Sequence, residues 1–417
     1  MSKTAEILAI GTELLLGNIA NTDAQYISQQ LSELGINVYC HSVVGDNPER
    51  VTQAAELARS RADIVITTGG LGPTTDDLTK ENIARAFGRK LYFDERSADR
   101  IKEWFYSKRP NGKMTENNLR QAMLPEGCIV LDNNAGTAPG CIIEDGEKIA
   151  IMLPGPPAEC RAMWESGVRP YLEKLSDCVI VSRNVRVYGI GESSVETRLG
   201  NIIPESKNPT VAPYAKEGEV MLRVTARSDS AEEGYAACDK MVDKIKSILG
   251  DNVYAVDKDS LEQTVLEIMK EKGLTLSAAE SCTGGLLSKR ITDIPGSSAV
   301  FKGSVVSYCN EAKAEILGVD PSVIEKFGVI SSETALEMAQ GALERFGSDI
   351  AVAVTGVAGP DRQEDKEVGT IYGAIAWQGG SIVKKIETYY RNRTGIRNMA
   401  ASALLDMVRR HLTNLPV

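Results

Sequence analysis

Histidine is nearly absent from this chain of 417 residues, in which only His41 and His411 occur. Neither histidine stands beside a serine at the end of a predicted strand, so the sequence offers no base for a Ser-His-Asp triad. Zinc sites draw mainly on histidine and cysteine, and the eight cysteines are scattered without a Cys-x-x-Cys pair. A histidine-dependent hydrolase and a zinc site are therefore disfavoured, and we expect reduced thiols in the cytoplasm.

Long apolar runs and long basic runs are also missing. No window approaches the roughly 18 apolar residues of a membrane span, and the apolar stretch near the amino terminus is interrupted by Thr12 and Glu13. The formal net charge of -10 would repel a nucleic-acid backbone, and no block of Lys and Arg compensates for it. We therefore expect neither export nor membrane insertion, and no nucleic-acid partner.

The amino-terminal part alternates between apolar runs and amphipathic stretches. The runs EILAI, INVYCHSVV and ADIVITT have the length of strands, and this rhythm predicts βαβ units with a parallel sheet. The run GCIIEDGEKIAIML places Asp145 and Gly146 between two alternating halves, which predicts a β-hairpin. A helix is predicted to start near PGPPAE and to end before Pro170.

The rhythm changes in the middle of the chain and then returns. Between about 175 and 256 it predicts a strand (NVRVYG), a helix (192–199), two strands (210–214 and 219–226) and a long helix (231–249). Ser260 is positioned to cap a further helix, after which βαβ units resume. The predicted fold is therefore two three-layer α/β/α domains with mainly parallel sheets (1–172 and 260–417), joined by a small α+β domain (175–256).

The segment AESCTGGLLSKRIT predicts a strand followed by a helix. Ser281, Cys282 and Thr283 would then lie at the helix amino terminus, whose free N–H groups favour developing negative charge. Ser281 or Thr283 could equally serve only as a helix cap, with Gly284 and Gly285 allowing close packing. Cys282 is a rival nucleophile because thiols at helix amino termini acidify, although adjacent helical side chains point about 100° apart.

A second strand end, in GSVVSYCNEAKAEILG, carries Tyr308 and is followed by a helix that presents Lys313. Both would lie with Ser281 at the carboxyl edge of the sheet, where open α/β sheets bind ligands. A desolvated lysine near a helix terminus can act as a base, which leaves serine-lysine chemistry as the surviving option. Lys313 could instead be a solvated residue between Glu311 and Glu315, and Tyr308 a half-buried strand aromatic.

A third strand end, VAVTGVAGPDR, brings Thr355, Gly356 and Gly359 to the same edge, where small residues let the backbone approach a ligand. The motifs TLSAAESCTGG, GSSAVFKGSVVSYCNEAKAEILGV, VAVTGVAGPD and VGTIYGA resemble the nicotinamide-nucleotide amidohydrolase domain of the CinA family over roughly residues 261–412. The resemblance implies deamidation of nicotinamide mononucleotide to nicotinic acid mononucleotide and ammonia, without a cofactor.

The same resemblance implies roles for individual residues. Ser281 would be the nucleophile, Lys313 its base and Tyr308 a supporting group. The substrate phosphate needs a cationic partner, and RNRTGIRNMAA offers Arg393 and Arg397 at a predicted helix start. The further substrate-binding residues expected at this site are Thr283, Gly284, Thr355 and Gly356.

The amino-terminal loop TTGGLGPTTDDLT follows a predicted strand and precedes a helix. Its Gly69, Gly70, Gly72 and Thr74 can cradle phosphate oxygens with backbone N–H groups, although the loop is neither a Walker A nor a GxGxxG loop. Asp76 and Asp77 could cap the helix or hold a divalent cation against a diphosphate.

IGTELLLGNIANTDA, TTGGLGPTTDD and LPGPPAE resemble the molybdopterin-binding-protein-like domain that forms the amino-terminal part of CinA proteins, over roughly residues 1–172. The resemblance implies a metal-dependent ADP-ribose pyrophosphatase that uses Mg, Mn or Co, although relatives of this domain bind molybdopterin. The polar residues expected around the ligand are Glu13, Asn18, Asp76, Asp77 and Glu159.

Two other classes of function stay open on the sequence. One is a molybdopterin-binding or nucleotide-binding protein without catalytic turnover, in which the serine only caps a helix. The other is a scaffold in competence or recombination, which the acidic charge and the convergent loops oppose. The family resemblance also predicts a homodimer that acts on nicotinamide mononucleotide and ADP-ribose in pyridine nucleotide recycling.

Overall fold

The computed structural model describes residues 3–108, 112, 114–175, 179–216, 218–390 and 392–417. The chain divides into a first unit (Met1–Val181 and Ala226–Tyr235) and a second unit (Ser182–Thr225 and Ala236–Val417). The strands are β1 (Thr4–Ile10), β2 (Asn37–Val44), β3 (Ile64–Thr68), β4 (Leu91–Phe93), β5 (Met123–Pro125), β6 (Ile129–Leu131), β7 (Gly140–Asp145), β8 (Lys148–Leu153), β9 (Val179–Tyr188), β10 (Thr210–Lys216), β11 (Glu219–Ser228), β12 (Val253–Val256), β13 (Leu276–Glu280), β14 (Phe301–Val306), β15 (Ile350–Gly356), β16 (Ile371–Trp377) and β17 (Gly380–Ile386).

Helices cover most of the remaining chain. They are α1 (Thr12–Leu15), α2 (Thr22–Glu33), α3 (Pro48–Arg61), α4 (Thr79–Ala86), α5 (Glu95–Lys108), α6 (Pro157–Met163), α7 (Arg169–Glu173), α8 (Glu192–Leu199), α9 (Ile202–Glu205), α10 (Ala231–Leu249), α11 (Leu261–Lys272), α12 (Leu286–Thr292), α13 (Asn310–Leu317), α14 (Pro321–Phe327), α15 (Ser332–Phe346) and α16 (Arg393–Leu412). Within the described ranges, no helix combines the length and the apolar character that crossing a membrane requires.

The first unit is built on a six-stranded sheet in the order β2-β1-β3-β8-β7-β6. The first four strands are parallel, β7 runs antiparallel to β8, and β6 runs antiparallel to β7 and so in the direction of the first four. Successive residues of β1 pack into two different apolar cores. Ile7 belongs to the core that contains Ile27 of α2, and Leu8 belongs to the core that contains Val51 of α3. A strand covered on both faces has apolar residues at successive positions, which is why EILAI does not alternate.

Two details of the first unit differ from the predictions. In the β7–β8 hairpin Asp145 pairs with Lys148, so the turn is formed by Gly146 and Glu147 rather than by Asp145 and Gly146. The helix that was predicted to end before Pro170 continues through a π-helical turn into α7. Pro170 is tolerated there because it occupies the first turn of α7, where its missing N–H is not needed.

The second unit contains a four-stranded sheet (β10-β11-β9-β12) and a five-stranded sheet (β14-β13-β15-β16-β17). The predicted strands and helices of the middle segment are present, and β12 is an additional strand. In the five-stranded sheet β14, β13 and β15 are parallel, β16 runs antiparallel to β15, and β17 runs antiparallel to β16. Ala278 and Ala279 face separate apolar cores, so helices cover both faces as the three-layer prediction requires.

Seven cysteines lie in the described part of the chain, and all of them are free thiols there. The eighth, Cys178, lies outside the described residues.

Candidate functional site

The carboxyl ends of β13, β14 and β15 meet at one edge of the five-stranded sheet. Glu280 at the end of β13 is in register with Val306 of β14 and with Val354 of β15. Ser281 follows β13 directly, and Lys313 lies one turn into α13, which follows β14. The Nζ atom of Lys313 is 3.2 Å from Oγ of Ser281 and donates a hydrogen bond of 2.7 Å to the carbonyl oxygen of Ser307.

Lys313 is not the solvated residue that the sequence left open, because only 1% of its surface is exposed. Burial lowers the pKa of Lys313, and no described carboxylate forms an ion pair with it. A lysine with a lowered pKa holds more of the neutral amine near pH 7, and only the neutral amine can accept a proton. The arrangement supplies both an alcohol and a base within hydrogen-bonding distance.

The prediction that Ser281 lies at a helix amino terminus is wrong. Residues 281–285 form a turn, and α12 begins only at Leu286, because Gly284 and Gly285 adopt positive φ angles of 57° and 89°. The carboxylate of Glu280 accepts hydrogen bonds from the backbone N–H groups of Leu287 and Ser288. The free N–H groups of α12 are therefore used by Glu280, and neither Ser281 nor Thr283 caps the helix.

Cys282 lies inside the protein and not at the surface of the site. Its side chain belongs to the apolar core that also contains Leu287 and Ile396. Burial raises the pKa of the Cys282 thiol to about 12. A thiol with this pKa holds almost no thiolate near pH 7, so the rival nucleophile lacks its reactive form.

Two buried hydroxyl groups, on residues that neighbour Ser281 in the sequence or across the sheet, have no hydrogen-bond partner among the described residues. They belong to Thr283, which was predicted to bind substrate, and to Ser307, which the sequence analysis missed. Ser307 could have been noticed, because it directly precedes Tyr308 at the end of β14. Buried hydroxyls are usually satisfied, so two open ones indicate that a polar ligand group belongs near Ser281.

Tyr308 and Arg393 contact each other at the outer side of this site. Tyr308 is 60% exposed and lies beyond the end of β14, so it is not a half-buried strand aromatic. Its hydroxyl accepts a hydrogen bond of 2.8 Å from Arg393, which also donates to the carbonyl oxygen of Gly359 at 2.6 Å. Arg397, one turn further along α16, donates to the carbonyl oxygen of Thr283 at 3.2 and 2.5 Å.

Gly284 lies close to the side chains of Arg397 and Tyr308, since a Cβ atom on it would be 3.6 Å from the Arg397 guanidinium and 4.0 Å from the Tyr308 ring. Thr355 and Gly356 have structural contacts instead. The hydroxyl of Thr355 donates to the carbonyl oxygen of Val329 at 2.8 Å, and a Cβ on Gly356 would meet the backbone of the neighbouring strand β16. Substrate binding by Thr355 and Gly356 stays a prediction.

A separate cavity of about 690 Å³ lies in the first unit, where β1, β3 and β8 end. It is lined by all but one of the residues predicted for the amino-terminal site: Glu13, Gly69, Gly70, Gly72, Thr74, Asp76, Asp77 and Glu159. Asn18 is exposed and is not among the lining residues. One carboxylate oxygen of Glu159 accepts a hydrogen bond of 2.7 Å from the side chain of Asn133.

The glycine-rich loop of this cavity has a steric requirement for glycine. Gly69 has a φ of 93°, and a Cβ atom there would lie 2.2 Å from the carbonyl oxygen of Ile10. Gly70 has a φ of 65°, and a Cβ atom would lie 2.1 Å from the Thr79 hydroxyl oxygen. The loop can therefore turn tightly at the end of β3 with its backbone facing the cavity.

Asp77 stabilises this loop rather than α4, which begins at Thr79. Its carboxylate accepts hydrogen bonds from the Thr74 N–H at 2.8 Å and the Thr74 hydroxyl at 2.6 Å. In the described part of the chain, no three His, Cys, Asp or Glu side chains come together closely enough to hold a metal ion by themselves. Asp76 and Asp77 both line the cavity, and two carboxylates are a donor set that Mg²⁺ commonly takes together with phosphate oxygens and water.

The sequence analysis missed Asp23 and Gln121, which also line the cavity. Asp23 is only 7% exposed, its Oδ1 atom has no partner among the described residues, and burial raises its pKa to about 6. The side-chain oxygen of Gln121 is likewise buried without a described partner. Asp23 could have been found, because it stands in the first turn of a helix capped by Asn21, directly after a predicted site loop.

Comparisons with known proteins show similarity along almost the whole chain. The family described as probable molybdopterin binding domain matches residues 6–174, the damage-inducible protein CinA KH domain matches residues 182–255, and the CinA C-terminal domain matches residues 258–412. The CinA-like protein of Kosmotoga olearia is 49% identical over 412 residues, which cover 99% of both chains. The CinA-like protein of Dictyoglomus thermophilum is 49% identical over 411 residues, which cover 98% of this chain and 99% of that protein.

Solved structures match single parts of the chain. The protein CinA from Thermoplasma acidophilum, described as having unknown function, is 34% identical and covers 40% of this chain and 98% of its own, with a TM-score of 0.38. A competence/damage inducible protein from Agrobacterium tumefaciens is 39% identical over 37% of this chain and 93% of its own, with a TM-score of 0.35. On the full-length sequence similarity, the chain belongs to the CinA family, as its motifs indicated.

Proposed function

We propose that the second unit is an amidohydrolase that converts nicotinamide mononucleotide to nicotinic acid mononucleotide and ammonia. The observation that carries the proposal is the buried pair of Ser281 and Lys313, whose Oγ and Nζ atoms lie 3.2 Å apart. The pair lies at the carboxyl edge of parallel strands, where open α/β sheets bind ligands. The substrate follows from the family resemblance of the motifs that carry these two residues.

In the first step the Ser281 hydroxyl attacks the carboxamide carbon while Lys313 takes the hydroxyl proton. Lys313 then gives this proton to the departing nitrogen, so ammonia leaves and an ester joins the substrate acyl group to Ser281. Water cleaves the ester with Lys313 again as the base, which releases the acid and restores the serine. The lowered pKa of Lys313 supports both proton transfers, because its neutral and charged forms then lie closer in energy.

The negative charge that develops on the carboxamide oxygen needs hydrogen-bond donors. The helix terminus of α12 is unsuitable because Glu280 already occupies it. The backbone N–H and the unpartnered hydroxyl of Thr283, two residues after Ser281, are the donors that we assign to this oxygen. We assign the substrate phosphate to Arg393 and Arg397 of α16, whose guanidinium groups can pair with phosphate oxygens.

The test is ammonia release from nicotinamide mononucleotide in the presence of EDTA. We expect release by the wild type and by Cys282→Ala, and loss of at least 1,000-fold, about the scale of losing a nucleophile or its base, in Ser281→Ala and Lys313→Met. Folding of both variants is checked by their thermal unfolding. Ammonia release that survives Ser281→Ala in a folded protein would contradict the mechanism, and no release by the wild type would remove the proposed substrate.

We propose a second activity, metal-dependent hydrolysis of the ADP-ribose diphosphate bond, for the cavity of the first unit. Its volume of about 690 Å³ suits a dinucleotide-sized ligand, and it is lined by a glycine-rich loop of the kind that can bind phosphate through backbone N–H groups. Asp76 and Asp77 would hold a divalent cation, which would neutralise phosphate charge. Magnesium-dependent release of AMP from ADP-ribose tests this activity, and its absence with tight ADP-ribose binding would favour a binding protein without turnover.

Asp76→Asn separates these alternatives further. If Asp76 holds the cation, the variant needs more magnesium for half-maximal AMP release, whereas Glu13→Gln at the same cavity retains the magnesium requirement of the wild type. Equal magnesium requirements of the wild type and Asp76→Asn would remove Asp76 from the metal site.

A further inference from the structure

A third cavity lies in the second unit, apart from the Ser281 site. Its volume is about 240 Å³, and residues of the middle segment and of the carboxy-terminal segment form its walls. On one side are Tyr188, the loop Gly189–Gly191, Gly218 and Glu219, and on the other Arg290, Tyr389, Tyr390 and three residues of α16. Small-molecule sites form preferentially at such junctions between segments.

Three tyrosine rings line this cavity. The rings of Tyr389 and Tyr390 lie 4.8 Å apart with an interplanar angle of 34°, and Tyr188 contributes a third ring. Tyr389 is 67% exposed, which is unusual for a large aromatic side chain that serves only packing. The glycines opposite add no side chains, so a flat ligand can reach the tyrosines. These features fit a planar ring that stacks on tyrosine.

The polar side chains that line the cavity determine which planar ring can bind there. One oxygen of Glu219 accepts a hydrogen bond of 3.0 Å from Tyr254, and no described residue bonds or pairs with the other. The side-chain amide of Asn398 has no partner within the described residues either. Arg290 is occupied, since it pairs with Glu262 and donates to the Asn398 carbonyl at 3.1 Å and to Ser402 at 2.9 Å.

A free carboxylate oxygen accepts from N–H groups, so the ring should carry an amino group. The volume of the cavity also limits the size of the ligand. Sites for drug-sized molecules usually measure about 300–1,000 Å³, and this cavity is smaller. We propose that the cavity binds an amino-substituted nucleobase or its nucleoside, and that α16 transmits its occupancy to the Ser281 site.

The connection between the two sites is α16 itself. Arg393 and Arg397 lie at the Ser281 site, while Asn398, Met399 and Ser402 line the third cavity. Residues three and four apart share a helix face, so one helix presents two faces to two ligands. A ligand that contacts Asn398 and Met399 acts on the helix that positions Arg397 against Thr283. The coupling rests on the proposed amidohydrolase, whereas the binding does not.

The binding test uses the full-length chain with Ser281→Ala, which prevents turnover, and titrates adenosine by calorimetry. Inosine, which lacks the amino group of adenosine, is the matched ligand. We expect saturable adenosine binding that is weakened about tenfold by Tyr389→Ala, because base stacking on an aromatic ring contributes roughly 1–3 kcal/mol. Tyr214→Ala, at another exposed tyrosine of the second unit, should leave the affinity unchanged. Glu219→Gln should reduce the preference for adenosine over inosine.

No saturable binding of millimolar adenosine, or binding that Tyr389→Ala leaves intact, would overturn the site. In the wild type, saturating adenosine should change the KM for nicotinamide mononucleotide at least threefold, and Tyr389→Ala should abolish the change. Binding without a change in KM overturns the coupling. A wild type that releases no ammonia contradicts the proposed amidohydrolase instead, and leaves the calorimetric result standing.

Discussion

At the scale of single residues, the environment of Lys313 determines the chemistry that Ser281 can carry out. Burial lowers the pKa of Lys313, and among the described residues its hydrogen bonds go to the Ser281 hydroxyl and the Ser307 carbonyl oxygen. The sequence identified Ser281 and Lys313 through motif resemblance and through the shortage of histidine. It could not establish the burial, which depends on side chains that the fold brings over Lys313 from distant segments.

The pH dependence of ammonia release follows from this lowered pKa. The base must be neutral, so kcat/KM should rise with pH and level off above the pKa of Lys313. We expect the midpoint of the rise to lie below the ordinary lysine value of about 10.4. A pH–rate profile between pH 5 and 10 checks this. A kcat/KM that falls steadily as the pH rises toward 10 would show that the protonated lysine is the active form.

Asp23 makes a prediction about stability in the first unit. Its pKa rises from 3.8 to about 6 on folding, so between these values the folded state binds more protons than the unfolded state. Stability therefore falls as pH rises through this window, and above it the ionised Asp23 destabilises the fold by at most about 3 kcal/mol. Asp23→Asn should stabilise the protein above pH 6 and have little effect below about pH 4.

Thermal unfolding at pH 4 and pH 7.5 measures this difference. Asp229→Asn, at an exposed aspartate assigned to the same unit, is the control and should change the Tm little at either pH. If Asp23→Asn lowers the Tm at pH 7.5, the carboxylate is stabilised by its surroundings and our account of its burial is wrong.

At the scale of elements, hydrophobic periodicity predicted most strands and helices, because the apolar residues of a buried face recur at one spacing in a strand and at another in a helix. Hydrophobic periodicity did not predict where α12 begins. That boundary depends on Glu280, a buried carboxylate that occupies the helix terminus, and on two glycines that extend the preceding turn. The continuation of the helix through Pro170 depended on a π-helical turn, which no local residue preference predicts.

The end of β15 offers a test of close strand contact. A Cβ on Gly356 would lie 2.6 Å from the Thr370 carbonyl oxygen and 2.9 Å from Cα of Ile371. Both are backbone atoms at the start of the neighbouring strand, so they cannot move aside by a side-chain rotation. We expect Gly356→Ala to destabilise the second unit by about 1–3 kcal/mol, measured by denaturant unfolding.

Gly191→Ala is the matched control, because a Cβ there has open space and its φ is ordinary. It should change the free energy of unfolding by less than about 1 kcal/mol. Equal effects of the two substitutions would mean that β15 and β16 can separate slightly without loss, and that Gly356 is retained for another reason.

At the scale of the whole molecule, the chain carries two candidate sites in two compact units, with different chemical needs. The proposed amidohydrolysis at Ser281 uses Lys313 as its base and no cation, whereas the proposed diphosphate hydrolysis uses a cation. Two separate sets of motifs led the sequence analysis to expect one site near each end of the chain, and it predicted three domains rather than two units. It missed the cavity that contains Tyr389, since the lining residues come from four segments with no shared motif.

Chelation should therefore separate the activities. We expect EDTA to abolish AMP release from ADP-ribose and to leave ammonia release from nicotinamide mononucleotide within about twofold of its original rate, in one sample of intact protein. Restoring magnesium should recover the first activity alone. Ammonia release that also depends on the cation would show that the Ser-Lys pair is not sufficient for the reaction.

The burial of Cys282 has a consequence for the protein under oxidative stress. Peroxides and alkylating agents attack thiolates, and a buried thiol with a pKa of about 12 presents almost none. The adjacent Ser281 is an alcohol, which peroxide does not oxidise. With Ser281 as the proposed nucleophile, oxidants that inactivate amidases with a cysteine nucleophile would leave the reactive group of this protein intact.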